Sequence, residues 1–176
     1  AVAKATWRGD GELIEDEDVE VETAFEAAWF ELNDRLKIWP TLCRTHILAS
    51  LSSFAVLLIG AGGDWTQELP RARSPKDLLY LQPYGGGVTN EVRGTSSGIT
   101  EGADVSVSEW DTDARSSRFG QPLSYMIRRT NLETPDLTRP VHWTRCIHIP
   151  AEGFLDDAIF GPPALEGVWN YFQDLI

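Results

Sequence analysis

The stretch VHWTRCIHIP, residues 141–150, holds His142, Cys146 and His148, side chains that ligate metals and carry protons. Imidazole nitrogen and thiolate sulfur are zinc ligands, and a Cys beside a His base is a pair used in covalent catalysis. Read as one strand, alternate side chains share a face, so His142, Thr144, Cys146 and His148 point one way. Val141, Trp143, Ile147 and Ile149 point the other way, with Arg145 the exception among them. Same-face neighbours stand about 6.5–7 Å apart, so Cys146 and His148 could share one zinc while His142 lies too far along. A structural zinc takes four ligands and a catalytic zinc three plus water. Cys43 and His46 would have to converge from elsewhere in the chain. One expectation is therefore a metal-dependent hydrolase built on His142, Cys146 and His148. A Cys–His nucleophile pair fits less well, because same-face strand neighbours point in parallel and not at each other. The competing expectation is a strand whose semi-polar face does no chemistry.

Other chemistry-bearing residues weigh less. Asp111 and Asp113 share the loop DTDARSSRFG, but calcium wants six to eight oxygens and turns use Asp constantly. Asp156 and Asp157 read as solvated. His46 lies on a helix, where a lone His is ordinarily a packed or exposed residue. GAGG at 60–63 is an incomplete dinucleotide fingerprint, and DWTQELPRARSP after it is no helix to hold a phosphate. No GxSxG, HExxH, P-loop or deaminase signature is present.

These residues need elements to position them. Thr23 followed by Glu26 matches a helix-capping box. Phe25, Ala28, Trp29, Leu32, Leu36 and Trp39 then recur at helical spacing. Pro40 interrupts the pattern and suits the first turn of a second helix over about Thr41–Leu51. FAVLLI, residues 54–59, reads as a strand buried on both faces. LLYLQPY (78–84), VTNEVR (88–93), VSVSEW (105–110) and LSYMIRR (123–129) read as further strands. GGG at 85–87 reads as a flexible turn and NLETPDLTRP as a connection. GPPALEGVWNYFQDLI starts a C-terminal helix behind a proline, with Leu165, Val168, Trp169, Phe172 and Ile176 on one stripe. The order predicts an α+β fold: N-terminal helices, a mostly antiparallel β-sheet and a C-terminal helix.

The chain has 176 residues, which suits one domain, and its charge is unevenly placed. Residues 1–34 hold 11 acids and 2 bases, a net of −9, against −12 for the whole chain. Residues 1–22 therefore read as an acidic, disordered leader, and residues 23–176 as the folded domain. An acidic interaction tail would make the chain an intracellular adaptor for basic partners. There is no basic footprint for gripping DNA. Two cysteines about a hundred residues apart make no disulfide framework, which fits a reducing compartment. No secretion signal is visible, and FAVLLIGAGG is too short to span a bilayer. The chain starts at Ala1 and stops at Ile176 within an amphipathic pattern, so a piece of a longer polypeptide is expected.

Residues 110–127, WDTDARSSRFGQPLSYMI, resemble a strand–loop–strand signature of tailed-bacteriophage portal proteins. The branch is the one whose first region is labelled an anti-CBASS-like N-terminal domain. Three further stretches agree in order: LASLSSFAVLLIGA (48–61), ARSPKDLLYLQPY (72–84), and VHWTRCIHIP with its trailing FGPPALEGVWNYFQDL. The resemblance covers about residues 23–176 and implies the wing region of a head–tail connector. Such proteins form a ring at one capsid vertex, through which a terminase motor packages DNA. The implied partners are other portal subunits and capsid or scaffold protein, with no membrane, no cofactor and no catalytic residue. The implied location is the virion portal vertex, after assembly in the bacterial host cytoplasm. The family's stem helices, clip and channel loops, which meet DNA and terminase, have no counterpart here. Under this resemblance the His and Cys of residues 141–150 are packing residues of a wing strand.

Overall fold

The computed structural model describes residues 23–87, 104–131, 134–151 and 159–164, together with Trp7 and Glu15. The fold is α+β: two helices, then a mixed six-stranded sheet. The rest of the expected leader, the strand VTNEVR and the C-terminal helix from Leu165 lie outside the described residues.

Helix α1 spans Ala24–Leu36 and opens on the expected capping box. The Glu26 amide donates to Thr23 Oγ1 at 3.2 Å, and the Thr23 amide donates to Glu26 Oε2 at 3.1 Å. Two backbone donors that a helix start leaves orphaned are thereby satisfied. Phe25, expected on the buried stripe, is instead 51% exposed. Helix α2 spans Ile38–Leu51, and the break between the helices falls at Lys37, which is left-handed at φ 50°. The break precedes Pro40 by three residues for a steric reason. Inside a continuous helix the proline ring would meet the carbonyl of Leu36. Restarting at Ile38 puts Pro40 in the first turn, where an amide hydrogen is not needed.

Strand β1, Phe54–Ala61, is buried on both faces as its apolar run predicts, with Phe54 to Leu58 at 1% exposure or less. Phe54, Val56 and Leu58 enter a core with Val105, Tyr125, Ile127 and Val141. Ala55 and Leu57 alternate to the other face; α2 packs on β1 and on β2, Leu78–Gly86. Strands β3 (Val105–Trp110), β4 (Pro122–Asn131), β5 (Thr134–His142) and β6 (Cys146–Pro150) complete the order β5-β4-β3-β2-β1-β6. Every pairing is antiparallel except β2 with β3, which meet in parallel at Gly86 and Val105.

The sheet is rolled. Four strand spacings separate β4 from β6 in that order, about 19 Å across a flat sheet. Yet Tyr125 Oη on β4 lies 3.1 Å from His148 Nδ1 on β6. The two edge strands, β5 and β6, are joined by only Trp143–Arg145, a single 3₁₀ turn.

Two loop assignments are corrected. NLETPDLTRP is not a plain connection, because β4 runs on to Asn131 and β5 covers Thr134–His142. Pro135 and Pro140 are tolerated there because β5 is an edge strand and one side of its backbone needs no ladder partner. Gly85 and Gly86 are not a flexible turn but the end of β2. Gly86 pairs with Phe54, whose buried ring lies where a Cβ at position 86 would stand. Gly86→Ala should therefore destabilise the fold by about 1–3 kcal/mol through overpacking. Urea unfolding checks this, and an unchanged midpoint would show that the ring can move aside.

Candidate functional site

The stretch 141–150 is not one strand. Val141 and His142 end β5, Trp143–Arg145 form the 3₁₀ turn, and Cys146 opens β6. His142 makes the turn. Its Nδ1 lies 2.9 Å from Thr144 Oγ1, and the Thr144 amide points at the same nitrogen at 3.4 Å. The turn breaks the alternation that would have set His142 on a common strand face with Cys146 and His148.

His148 is half-buried and packs against the core. Its ring stacks on Phe54 at 4.9 Å and beside Tyr125 at 5.9 Å. Nε2 lies 2.7 Å from the Ile159 carbonyl, which can only accept, so Nε2 carries the proton. Nδ1 is then free to accept from the Tyr125 hydroxyl in the neutral ring. Nδ1 thus joins β6 to β4, and Nε2 joins it to the segment at Ile159. Burial pushes the Cys146 thiol up to about 12, against a smaller opposing pull from Arg145. At neutral pH that thiol is protonated, and the thiolate is the form that attacks or ligates. His46 accepts from the Trp7 indole at 3.0 Å, and Cys43 sits on the same helix, α2. Among the described residues no group of three His, Cys, Asp or Glu is placed to hold a metal ion.

The aspartates of the β3–β4 loop serve the loop itself. Asp111 Oδ1 accepts from the Asp113 amide at 3.0 Å, and its Oδ2 accepts from the Ser116 hydroxyl. Asp113 accepts from the Arg115 amide at 2.9 Å. Gly120, at φ +79°, returns the chain so that its amide donates to the Asp111 carbonyl. Arg118 lies 3.4 Å over the Trp143 ring and ties this loop to the 3₁₀ turn. Asp156 and Asp157 lie outside the described residues.

The residue that sequence reasoning passed over is Arg145. It is 1% exposed, and its guanidinium fans over four backbone carbonyls. Nε donates to Gln67 at 2.9 Å, Nη2 to Gly62 at 3.1 Å and Glu68 at 3.4 Å, and Nη1 to Ala61 at 3.4 Å. All four lie at the end of β1 or in the β1–β2 connection, so one side chain from the β5–β6 turn holds that connection down. Its signal in the sequence is the break it makes in an otherwise apolar face.

The connection it holds borders a groove of about 470 Å³. Arg71 and Lys76 bring charge to its wall, and Ala61, Pro70, Ala72 and Leu79 bring apolar surface. The far end is stiffened by a short 3₁₀ turn, Pro75–Asp77, with Ser74 as its cap. Asp77 accepts the amides of Arg73 and Ser74, which hold its carboxyl below the usual carboxylate range. Arg35 of α1 donates to the Leu78 carbonyl at 2.7 Å and also to that of Pro75, bracing the connection against the helix.

No helix of the described residues is long and apolar enough to cross a membrane. No protein-family model matches the chain, and a search of curated proteins finds no match.

Proposed function

We propose that this chain is the wing region of a tailed-phage portal subunit, a shape-bearing part of a ring at the capsid vertex. In this reading the region performs no catalysis. It meets neighbouring portal subunits and capsid or scaffold protein, and reaches terminase and DNA only through other parts of the polypeptide. The observation that carries the reading is where the resembling residues fall. WDTDARSSRFGQPLSYMI lies on one unit, the end of β3, its loop and the start of β4. The side chains of Asp111, Asp113, Ser116 and Arg118 close that loop on itself. Those residues act on shape, which is what a ring subunit needs from them. Exposed Trp110 and Phe119 beside them offer aromatic surface of the kind enriched in subunit interfaces.

Mass photometry of the full reading frame that encodes this chain tests the proposal. The expected result is a large oligomer of a single size, and electron microscopy should resolve it as a ring. A strictly monomeric product would overturn the reading.

A further inference from the structure

The β1–β2 connection has equal numbers of acids and bases, but its stretch 71–76 gathers three bases and no acid. Arg71, Arg73 and Lys76 lie within six residues, all exposed, and none makes an ion pair among the described residues. Asp77 lines the same groove and feels the Arg73 charge, but its carboxyl is engaged mainly by the Arg73 and Ser74 amides, which leaves the stretch basic on balance. The groove beside them has an apolar wall that includes Leu79, 56% exposed. The outer edge of β2 joins β3 only at Gly86, so from Leu79 to Pro83 it has no ladder partner on that side among the described residues. A basic rim and an apolar strip together fit an extended acidic peptide with alternating aliphatic residues.

This chain contains such a peptide. Residues 16–22, DEDVEVE, hold five acids and no base, with Val19 and Val21 at strand spacing. Its two flanks are held on α1. Thr23 Oγ1 donates to Glu15 Oε2 at 2.7 Å, and the Glu15 amide donates to Glu26 Oε1 at 2.7 Å. The groove lies toward the other end of that helix, where Arg35 meets Pro75 and Leu78. Twelve residues of helix separate Thr23 from Arg35, about 18 Å at 1.5 Å each. A segment of seven residues tethered at both ends reaches out and back over only about 14 Å. It falls short of the groove in its own copy.

We infer that residues 16–22 of one copy dock in the Arg71–Lys76 groove of the next. The contact joins two different surfaces, so it is head-to-tail and repeats around a closed ring. It rests on the reading of the chain as a ring subunit and names one of that ring's contacts.

The test is zero-length carbodiimide cross-linking of the intact chain, mixed from ¹⁴N and ¹⁵N preparations. The expected product joins Lys76 to an acid within residues 16–22, with its two halves carrying different isotopes. Arg71→Glu with Arg73→Glu leaves Lys76 in place and should lower that product about ten-fold. Same-isotope links alone, no link, or a yield unmoved by the double substitution would overturn the inference. So would a single-stranded oligonucleotide that protects Lys76 from modification in the absence of any inter-copy link, since the groove would then belong to nucleic acid. A ring seen by mass photometry without this link sinks the docking alone. The link in a product that never reaches ring size supports the docking and sinks the ring.

Discussion

Arg145→Met should cost the fold about 3 kcal/mol and loosen the β1–β2 connection. Methionine fills much of the buried volume but donates nothing, so the carbonyls of Ala61, Gly62, Gln67 and Glu68 lose a common partner. Hydrogen bonds from a charged donor contribute roughly 1.5–3 kcal/mol each. Two of the four are long, at 3.4 Å, and Gly62, Gln67 and Glu68 are exposed enough to turn to water, which holds the loss below the simple sum. Relief from burying a charge that meets no carboxylate in ion-pair contact among the described residues, with only a weaker pull from Asp64, offsets part of it as well. Arg145→Lys should not rescue the fold, because an ammonium is a point charge and cannot fork to carbonyls on several sides. The second readout is trypsin. Arg71, Arg73 and Lys76 lie on the connection that Arg145 holds, so cleavage there should speed up in both variants. A methionine variant within about 0.5 kcal/mol of the parent, cut no faster, would show that the guanidinium holds nothing.

How far the sequence foretold this arrangement depends on how far each signal had to reach. The Thr23–Glu26 capping box spans three residues, and the structure has it as read. The FAVLLI run carries its own burial, and β3 and β4 lie within a residue or two of their apolar patterns. The failures are nonlocal. Arg145 finds its carbonyls 77 to 84 residues away, and nothing near it in the chain says that the guanidinium turns inward. Gly86 is a strand residue because Phe54 lies over it from β1, not because of its two glycine neighbours. β5 keeps two prolines because it ends up at an edge, a property of strand order alone. The single strand expected through residues 141–150 is corrected for the same reason. His142, Cys146 and His148 looked like one face because a strand was assumed through them. A three-residue turn, made by His142 itself, takes His142 off that face, while Cys146 and His148 still alternate along β6 and both lie near Tyr125.

Cys146 leads to the second large effect, on stability at high pH. Burial raises its thiol from the ordinary value near 9 to about 12, and burial also raises the Tyr125 hydroxyl. Both groups are neutral when protonated, so the folded chain keeps its protons where the unfolded chain releases them. Below pH 9 the two states bind the same number at the thiol and its contribution is fully present. From there to about pH 12 the unfolded state is favoured progressively, by about 1.4 kcal/mol per pH unit for one site. Stability should therefore fall with pH across that window, and more steeply above pH 10, where Tyr125 joins. Cys146→Ala should lower the stability at neutral pH through the cavity it leaves, but flatten the alkaline slope by about one proton. Urea unfolding of both proteins across the window measures it, and equal slopes would remove the thiol as the cause. The same proton holds the thiol unreactive in the closed fold, because the thiolate is the attacking form. Alkylation of Cys146 at neutral pH should then proceed through opening of β6, slowed by whatever strengthens the Tyr125–His148 contact across the rolled sheet.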